Sequence, residues 1–195
     1  MERKAFVKRV TGETEIVVNI NLDGTGKSSI NTGIGFFDHM LTALSKHSLI
    51  DMEVECKGDL NVDNHHTVED VGIVIGQAIL QAVGDKKSIV RFGNFYLPMD
   101  DSLVLCALDL SGRPYYCSDF GFTNEIIGSF EAQLIDEFFY SVSYSAMMNI
   151  HFCKMRGKNA HHICEAAFKA FAKALMEAVS INARIEDVLS TKGTL

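Results

Sequence analysis

Two near-copies of one short pattern limit what this chain can fold into. Asn64-His65-His66-Thr67-Val68-Glu69-Asp70 lies in the first half, and Ala160-His161-His162-Ile163-Cys164-Glu165-Ala166 lies near the other end. Four of the seven histidines sit in these two His-His-x-x-Glu stretches. On a helix, His65 and Glu69 are i,i+4 neighbours and share a face. His66 is rotated about 100° from His65, so the two rings diverge. One pair can therefore give a His and a Glu to one metal ion and lend its second His to another. The expected sites interlock: His65 and Glu69 with His162, and His161 and Glu165 with His66. Imidazole and carboxylate together suit Mn, Fe, Zn or Ni. One such motif is a weak signal, but two in equivalent places are not easily accidental.

The repetition extends upstream. Gly35-Phe36-Phe37-Asp38-His39-Met40-Leu41 precedes the first pair, and Leu134-Ile135-Asp136-Glu137-Phe138-Phe139 precedes the second. His39 stands 26 residues before His65, and Glu137 stands 24 before His161. Matching depth assigns His39 as fourth ligand of the first site and Glu137 as fourth ligand of the second.

Secondary-structure signals follow the same order in each half. Alternating, β-branched runs predict strands over 3–10, 14–22, 28–31 and 51–56, with helices over 34–47 and 64–83, the latter N-capped by Asn64. The second half predicts strands over 89–97, 103–110, 114–119 and 148–153, with helices over 130–147 and 160–178. The fold class expected is an α/β (α+β) sandwich of two β-β-β-α-β-α repeats, 1–85 and 86–180, with two sheets covering four helices in one packed unit. Residues 181–195 are polar and predict a mobile tail. His151, on a strand, reads as structural. His47 ends the first long helix, where the dipole favours it. It lies about 80° off the side of His39, so it is also a candidate substrate contact.

Composition narrows the function classes. A net charge of −7 argues against nonspecific nucleic-acid binding. Five cysteines without C-x-x-C spacing argue against a disulfide framework or zinc knuckle and fit buried, reduced thiols in a cytoplasm. Met1-Glu2-Arg3-Lys4-Ala5-Phe6 lacks an apolar signal core, and no run is long enough to predict a membrane span.

Four stretches then resemble one family. Gly33-Ile34-Gly35-Phe36-Phe37-Asp38-His39-Met40-Leu41, Asp63-Asn64-His65-His66-Thr67-Val68-Glu69-Asp70, Asp109-Leu110-Ser111-Gly112-Arg113-Pro114 and Gly157-Lys158-Asn159-Ala160-His161-His162 are similar to the imidazoleglycerol-phosphate dehydratase family of histidine biosynthesis. The likeness continues to Ser190-Thr191-Lys192-Gly193. The resemblance implies a gene-duplicated, ribosomal-protein-S5-domain-2-like fold and two Mn2+ ions per subunit. It also implies a homo-oligomeric shell of 24 subunits, a 24-mer, with sites at subunit contacts. The reaction implied is loss of water from D-erythro-imidazole glycerol phosphate to give imidazole acetol phosphate. Two ions holding the ring through its nitrogens would favour the imidazolate form. Glu13, on residues alone an ordinary turn carboxylate, is by resemblance an acid/base group, with His47 as a second candidate. Arg91, Arg113, Lys169, Ser190, Thr191 and Lys192 are the implied phosphate and substrate contacts, joined by Glu13, His39 and His47. The family position at Glu137 takes His or Glu. Lys169 also stands i,i+4 from Glu165, a pairing discounted here because metal should occupy Glu165. Two other classes fit the His/Glu pairs: a metal-storage or metal-linked structural assembly, and a dinuclear metallohydrolase. The storage or structural reading leaves Glu13 and the two arginines idle; in a hydrolase, metal-bound water would attack the substrate.

Overall fold

The computed structural model describes residues 2–195. Strict alternation builds the first sheet. In β2 (Thr14–Asn21), Ile16, Val18 and Ile20 point inward while Glu15 and Asn19 face out. β1 (Lys4–Val10), β2, β3 (Ser28–Asn31) and β4 (Asp51–Gly58) order as β1-β2-β4-β3, with only β3 parallel to its neighbour. α1 (Gly35–Ser48) precedes β4 and α2 (His65–Val83) follows it. The second half contains β5 (Phe92–Met99), β6 (Ser102–Asp109), β7 (Tyr115–Cys117), a small hairpin of β8 (Ile126–Ile127) and β9 (Phe130–Glu131), α3 (Leu134–Ala146), β10 (Asn149–Arg156) and α4 (Ala160–Ala178). Its sheet orders as β5-β6-β10-β7, and again only the last strand is parallel.

The halves match down to single hydrogen bonds. α1 ends at Leu49 with φ 61°, and α3 ends at Met147 with φ 54°. Ser45 Oγ donates to the Ile50 carbonyl at 2.7 Å, and Ser143 Oγ donates to the Met148 carbonyl at 2.7 Å. A serine in the last helical turn thus fastens a left-handed helix end to the strand that follows. The repeats then pack crosswise: α1 lies on α4 and α2 on α3. Gly72 and Gly76 allow the second contact. A Cβ on Gly72 would meet the Phe138 carbonyl at 2.8 Å, and one on Gly76 would meet the Val142 carbonyl at 2.8 Å. Phenylalanines seal the shared core, with Phe37 and Phe138 ring centres 5.3 Å apart across the halves.

Several boundaries differ from the sequence reading, each for a local reason. β5 starts at Phe92 because Ser88 and Arg91 adopt φ of 59° and 75°, outside strand geometry. α3 starts at Leu134 because Gly128, with φ 66°, reverses the chain between β8 and β9. Phe130 of that hairpin is buried against Phe36 and Phe37 rather than on a helix face. Cys56, Cys106 and Cys164 are buried, whereas Cys117 and Cys153 are exposed. His151 is exposed, its ring 5.3 Å from that of Tyr115. The tail is laid along the connector between repeats, with bridges Lys87↔Val188 and Ile89↔Ile181. No helix among the described residues is long and apolar enough to cross a membrane.

Candidate metal and substrate site

The crosswise packing of helices creates two trios. α1 and α4 bring His39 to His161 and Glu165; α2 and α3 bring Glu137 to His65 and Glu69. In each trio one ligand atom per residue lies within 4.8 Å of the others. Nε2 of His65 is 3.7 Å from Glu69 Oε2, and Nε2 of His161 is 3.3 Å from Glu165 Oε2. This corrects the expected fourth-ligand assignment. His39 does not join His65 and Glu69, and Glu137 does not join His161 and Glu165. Depth within a repeat was the wrong guide, because the upstream helix of one half packs on the motif helix of the other.

His66 and His162 join neither trio among the described residues. The expected interlock, His162 with His65 and Glu69 and His66 with His161 and Glu165, is therefore not made within one chain. The rings diverge as the helix rotation demands: the planes of His65 and His66 are 90° apart, those of His161 and His162 79°. Each second histidine is held from behind. Nδ1 of His66 lies 3.0 Å from Asp59 Oδ2, and Nδ1 of His162 lies 2.8 Å from Asp101 Oδ1. A carboxylate on Nδ1 fixes the ring and its tautomer and leaves Nε2 as the ligand atom. Asp59 also holds the His66 imidazole above its ordinary pKa. The sequence reading missed both aspartates, since nothing local ties Asp101 to a histidine 61 residues away.

Capping differs between the two motif helices. Asn159 Oδ1 accepts from the His162 backbone N–H at 3.3 Å, as an N-cap should. Asn64 does not cap α2. Its amide donates to the Ser129 carbonyl at 2.6 Å and to Glu131 at 2.9 Å, tying the β8–β9 hairpin to the motif. Asp63 accepts from the His65 N–H instead, at 2.8 Å. The aspartates before the upstream ligands are anchors: Asp38 accepts from the Thr32 hydroxyl and backbone, and Asp136 from the Tyr116 and Ser118 hydroxyls.

Charge is distributed with equal care. Burial pushes the Glu165 carboxyl up, but Lys169, then His39 and His161, outweigh it and hold the group below its ordinary value. Lys169 Nζ is 2.6 Å from Glu165 Oε1, so the pairing discounted from the sequence is made. Glu165 uses one oxygen for Lys169 and turns the other to His161. His47 is half-buried on α1, and burial followed by the charges of Lys169 and Lys173 depresses its pKa. Glu13 is exposed on the β1–β2 turn, its carboxylate 3.8 Å from Nε2 of His66. Thr11 Oγ1 shapes that turn by accepting from the N–H groups of Glu13 and Thr14. Thr14 and Arg9 clamp it to Asp70 on α2, at 2.5 and 2.6 Å.

A separate cavity of about 660 Å³ is lined by Arg91, Arg113, Ser190, Thr191 and Lys192, with Arg184 as a cation that sequence reasoning missed. Lys169 does not line it. Arg91 donates to Asp109 from Nε at 2.7 Å and from a terminal nitrogen at 3.0 Å, and to the Leu189 carbonyl at 2.7 Å. Asn149 Nδ2 donates to the Arg113 carbonyl at 2.6 Å, which fixes the second arginine's turn.

The residues fit divalent metal. Each trio mixes imidazole nitrogen with carboxylate oxygen, suited to Mn or its neighbours, and the second histidines carry the carboxylate support usual behind such ligands.

Fold and clusters define a class: duplicated α/β sandwiches that display one His-carboxylate trio at each of two equivalent cross-repeat helix contacts. Comparison with known proteins narrows it. A family model described as imidazoleglycerol-phosphate dehydratase matches residues 32–175. The chain is 56% identical, over the full length of both, to the imidazoleglycerol-phosphate dehydratase of Acetivibrio thermocellus, and 57% identical to that of Lachnoclostridium phytofermentans on the same full coverage. Among solved structures, the enzyme of Staphylococcus aureus superposes with a TM-score of 0.83 at 40% identity, covering 92% of this chain and 99% of that one. The chain belongs to the imidazoleglycerol-phosphate dehydratase family, a family of hydro-lyases in histidine biosynthesis.

Proposed function

We propose that the chain dehydrates D-erythro-imidazole glycerol phosphate to imidazole acetol phosphate with two Mn2+ ions per subunit, one at each trio. The observation that carries this reading is the pair of trios, each built from a His-x-x-x-Glu of one repeat and the upstream ligand of the other. His39, His161 and Glu165 would hold one ion, and His65, Glu69 and Glu137 the other. Bound there, the ions supply Lewis-acid polarisation of the substrate's imidazole ring. His66 and His162 of a second copy of the chain complete the ligand sets, His66 with His161 and Glu165, and His162 with His65 and Glu69. The enzyme is thus a homo-oligomer with sites between chains, and a 24-subunit shell satisfies that requirement.

The chain's own groups do the remaining work. Glu13 moves protons at the substrate, a reading supported by its exposed carboxylate beside Nε2 of His66. His47, with its depressed pKa, enters as a neutral imidazole able to accept a proton. Arg91, Arg113 and Lys192 supply cations for the phosphate, with Ser190 and Thr191 as hydroxyl donors. Lys169 orients Glu165 and presents its charge from the trio side of the substrate. Five free thiols fit a reducing cytoplasm.

The test is reconstitution of metal-free protein with Mn2+ and substrate. About two ions per chain should bind by this ligand count, and imidazole acetol phosphate should form only with metal. Release of inorganic phosphate instead would favour a hydrolase, and metal uptake without turnover would favour storage. Chelation should also shrink the particle in light scattering; a size unchanged after complete stripping would place each site within one chain.

A further inference from the structure

We propose that Lys86 is a positioning residue of the anion cavity: from beneath the Asp109–Arg113 turn it acts through Asp109 and Arg91 to keep that cavity cationic enough for a phosphate monoester. This rests on the anion reading of the Arg91–Arg113 cavity. Lys86 does not line the cavity itself. The residue follows Gly84 and Asp85 in the connector between repeats, where a lysine ordinarily faces solvent. Here it is folded inward and only 6% exposed. Its φ of 61° is left-handed, a backbone rare for a long side chain and kept only where the surroundings impose it. Its ammonium lies 3.5 Å from where a Cβ on Gly112 would stand, so it is tucked against the turn that carries Arg113.

A buried ammonium ordinarily takes a carboxylate of its own. Among the described residues Lys86 forms no ion pair of its own; the nearby Asp109 already accepts two hydrogen bonds from Arg91. Burial pushes the Lys86 pKa down, Asp109 pulls it up, and Arg91 and Arg113 push it down again. Lys86, Arg91 and Arg113 therefore gather around Asp109, with the Leu195 main chain packed against the same Gly112 turn. With Lys86 present, Asp109 can orient Arg91 without cancelling its charge toward the cavity. The surplus positive charge is unfavourable in the empty protein and favourable once a phosphate arrives. A lysine kept only to hold the turn together would show the opposite balance.

Thermal unfolding of the full-length, Mn-loaded protein with and without inorganic phosphate separates these roles. Wild-type protein should gain melting temperature with phosphate, because a ligand of the native state stabilises it by mass action. Lys86→Met should melt as high as wild type or higher without phosphate, yet lose the phosphate-induced rise. Its phosphate affinity should fall about tenfold, because Asp109 then offsets more of the Arg91 charge that faces the anion. With imidazole glycerol phosphate, KM should rise with kcat kept, the mark of lost uniform binding, and Lys86→Arg should recover most of it. Lys86→Met that melts early, or fails to fold, overturns the proposal in favour of a structural lysine. So does Lys86→Met that keeps the full phosphate response. No phosphate response in wild type would instead overturn the anion reading of the cavity.

Discussion

Asp59 and Asp101 reach the same task from unlike places. Asp59 follows β4, whereas Asp101 sits in the β5–β6 turn and also accepts from the backbone N–H groups of Lys158 and Asn159. Each takes up Nδ1 of a second motif histidine. Asp59→Ala and Asp101→Ala should each weaken Mn2+ binding by about 10–100-fold. Calorimetric titration of the metal-free protein measures this, and wild-type affinity in both variants would show that the aspartates do not support metal. Asp51 is a simpler case. Its carboxylate accepts from the Thr25 and Lys27 N–H groups, and these bonds hold its pKa below the ordinary 3.8. A depressed folded pKa stabilises fully above the unfolded value, and the contribution is lost as pH falls through the folded one. Asp51→Asn should therefore cost roughly a few tenths of a kcal/mol at neutral pH, since solvent screens this exposed group. In urea titrations the gap to wild type should close below the carboxylate range; a gap constant down to pH 2 would assign the effect to shape alone.

Elements explain which parts of the site the sequence displayed. The His-His-x-x-Glu helices and the alternating strands are local periodicities, so His65, Glu69, His161 and Glu165 were legible together with the internal duplication. Which helix meets which is not local. His39 and Glu137 were read as ligands but assigned to the opposite trios, because i,i+4 spacing says nothing about α1 packing on α4. The β8–β9 hairpin escaped for a related reason: Phe130 fits helical spacing as well as it fits a turn. Asn64 was read as a cap because Asn suits that position, yet a hairpin brought in from residues 129–131 takes its amide. The α2–α3 contact makes its own prediction. Gly72→Ala forces a methyl to 2.8 Å from the Phe138 carbonyl, in a place where neither backbone can yield cheaply. It should destabilise by about 1–3 kcal/mol and lower metal occupancy at Glu137, as read by urea denaturation and metal analysis. Gly35→Ala, with nothing within 4 Å, is the near-neutral control. Equal stability of the two variants would mean that the helices do not meet this closely.

At the scale of the whole molecule, the trios and the cation cavity occupy different parts of one chain, and the tail walls only the second. Its polar sequence predicts mobility, while the structure holds it through Arg91 to the Leu189 carbonyl and through bridges to the connector. Truncation after Ile185 should leave metal content and assembly intact and cut turnover steeply, because Ser190, Thr191 and Lys192 are lost from the cavity. Steady-state kinetics with normal kcat and KM would show that the tail takes no part. The crosswise trios need two repeats. A single repeat, holding only one upstream ligand and one His-x-x-x-Glu that do not come together, could complete a trio only against a second repeat. In a symmetric pair of identical repeats both trios would be chemically the same, since symmetry puts one residue at both upstream positions. Two repeats in one chain are free of that constraint, and the two trios differ at this position: histidine at 39 and glutamate at 137.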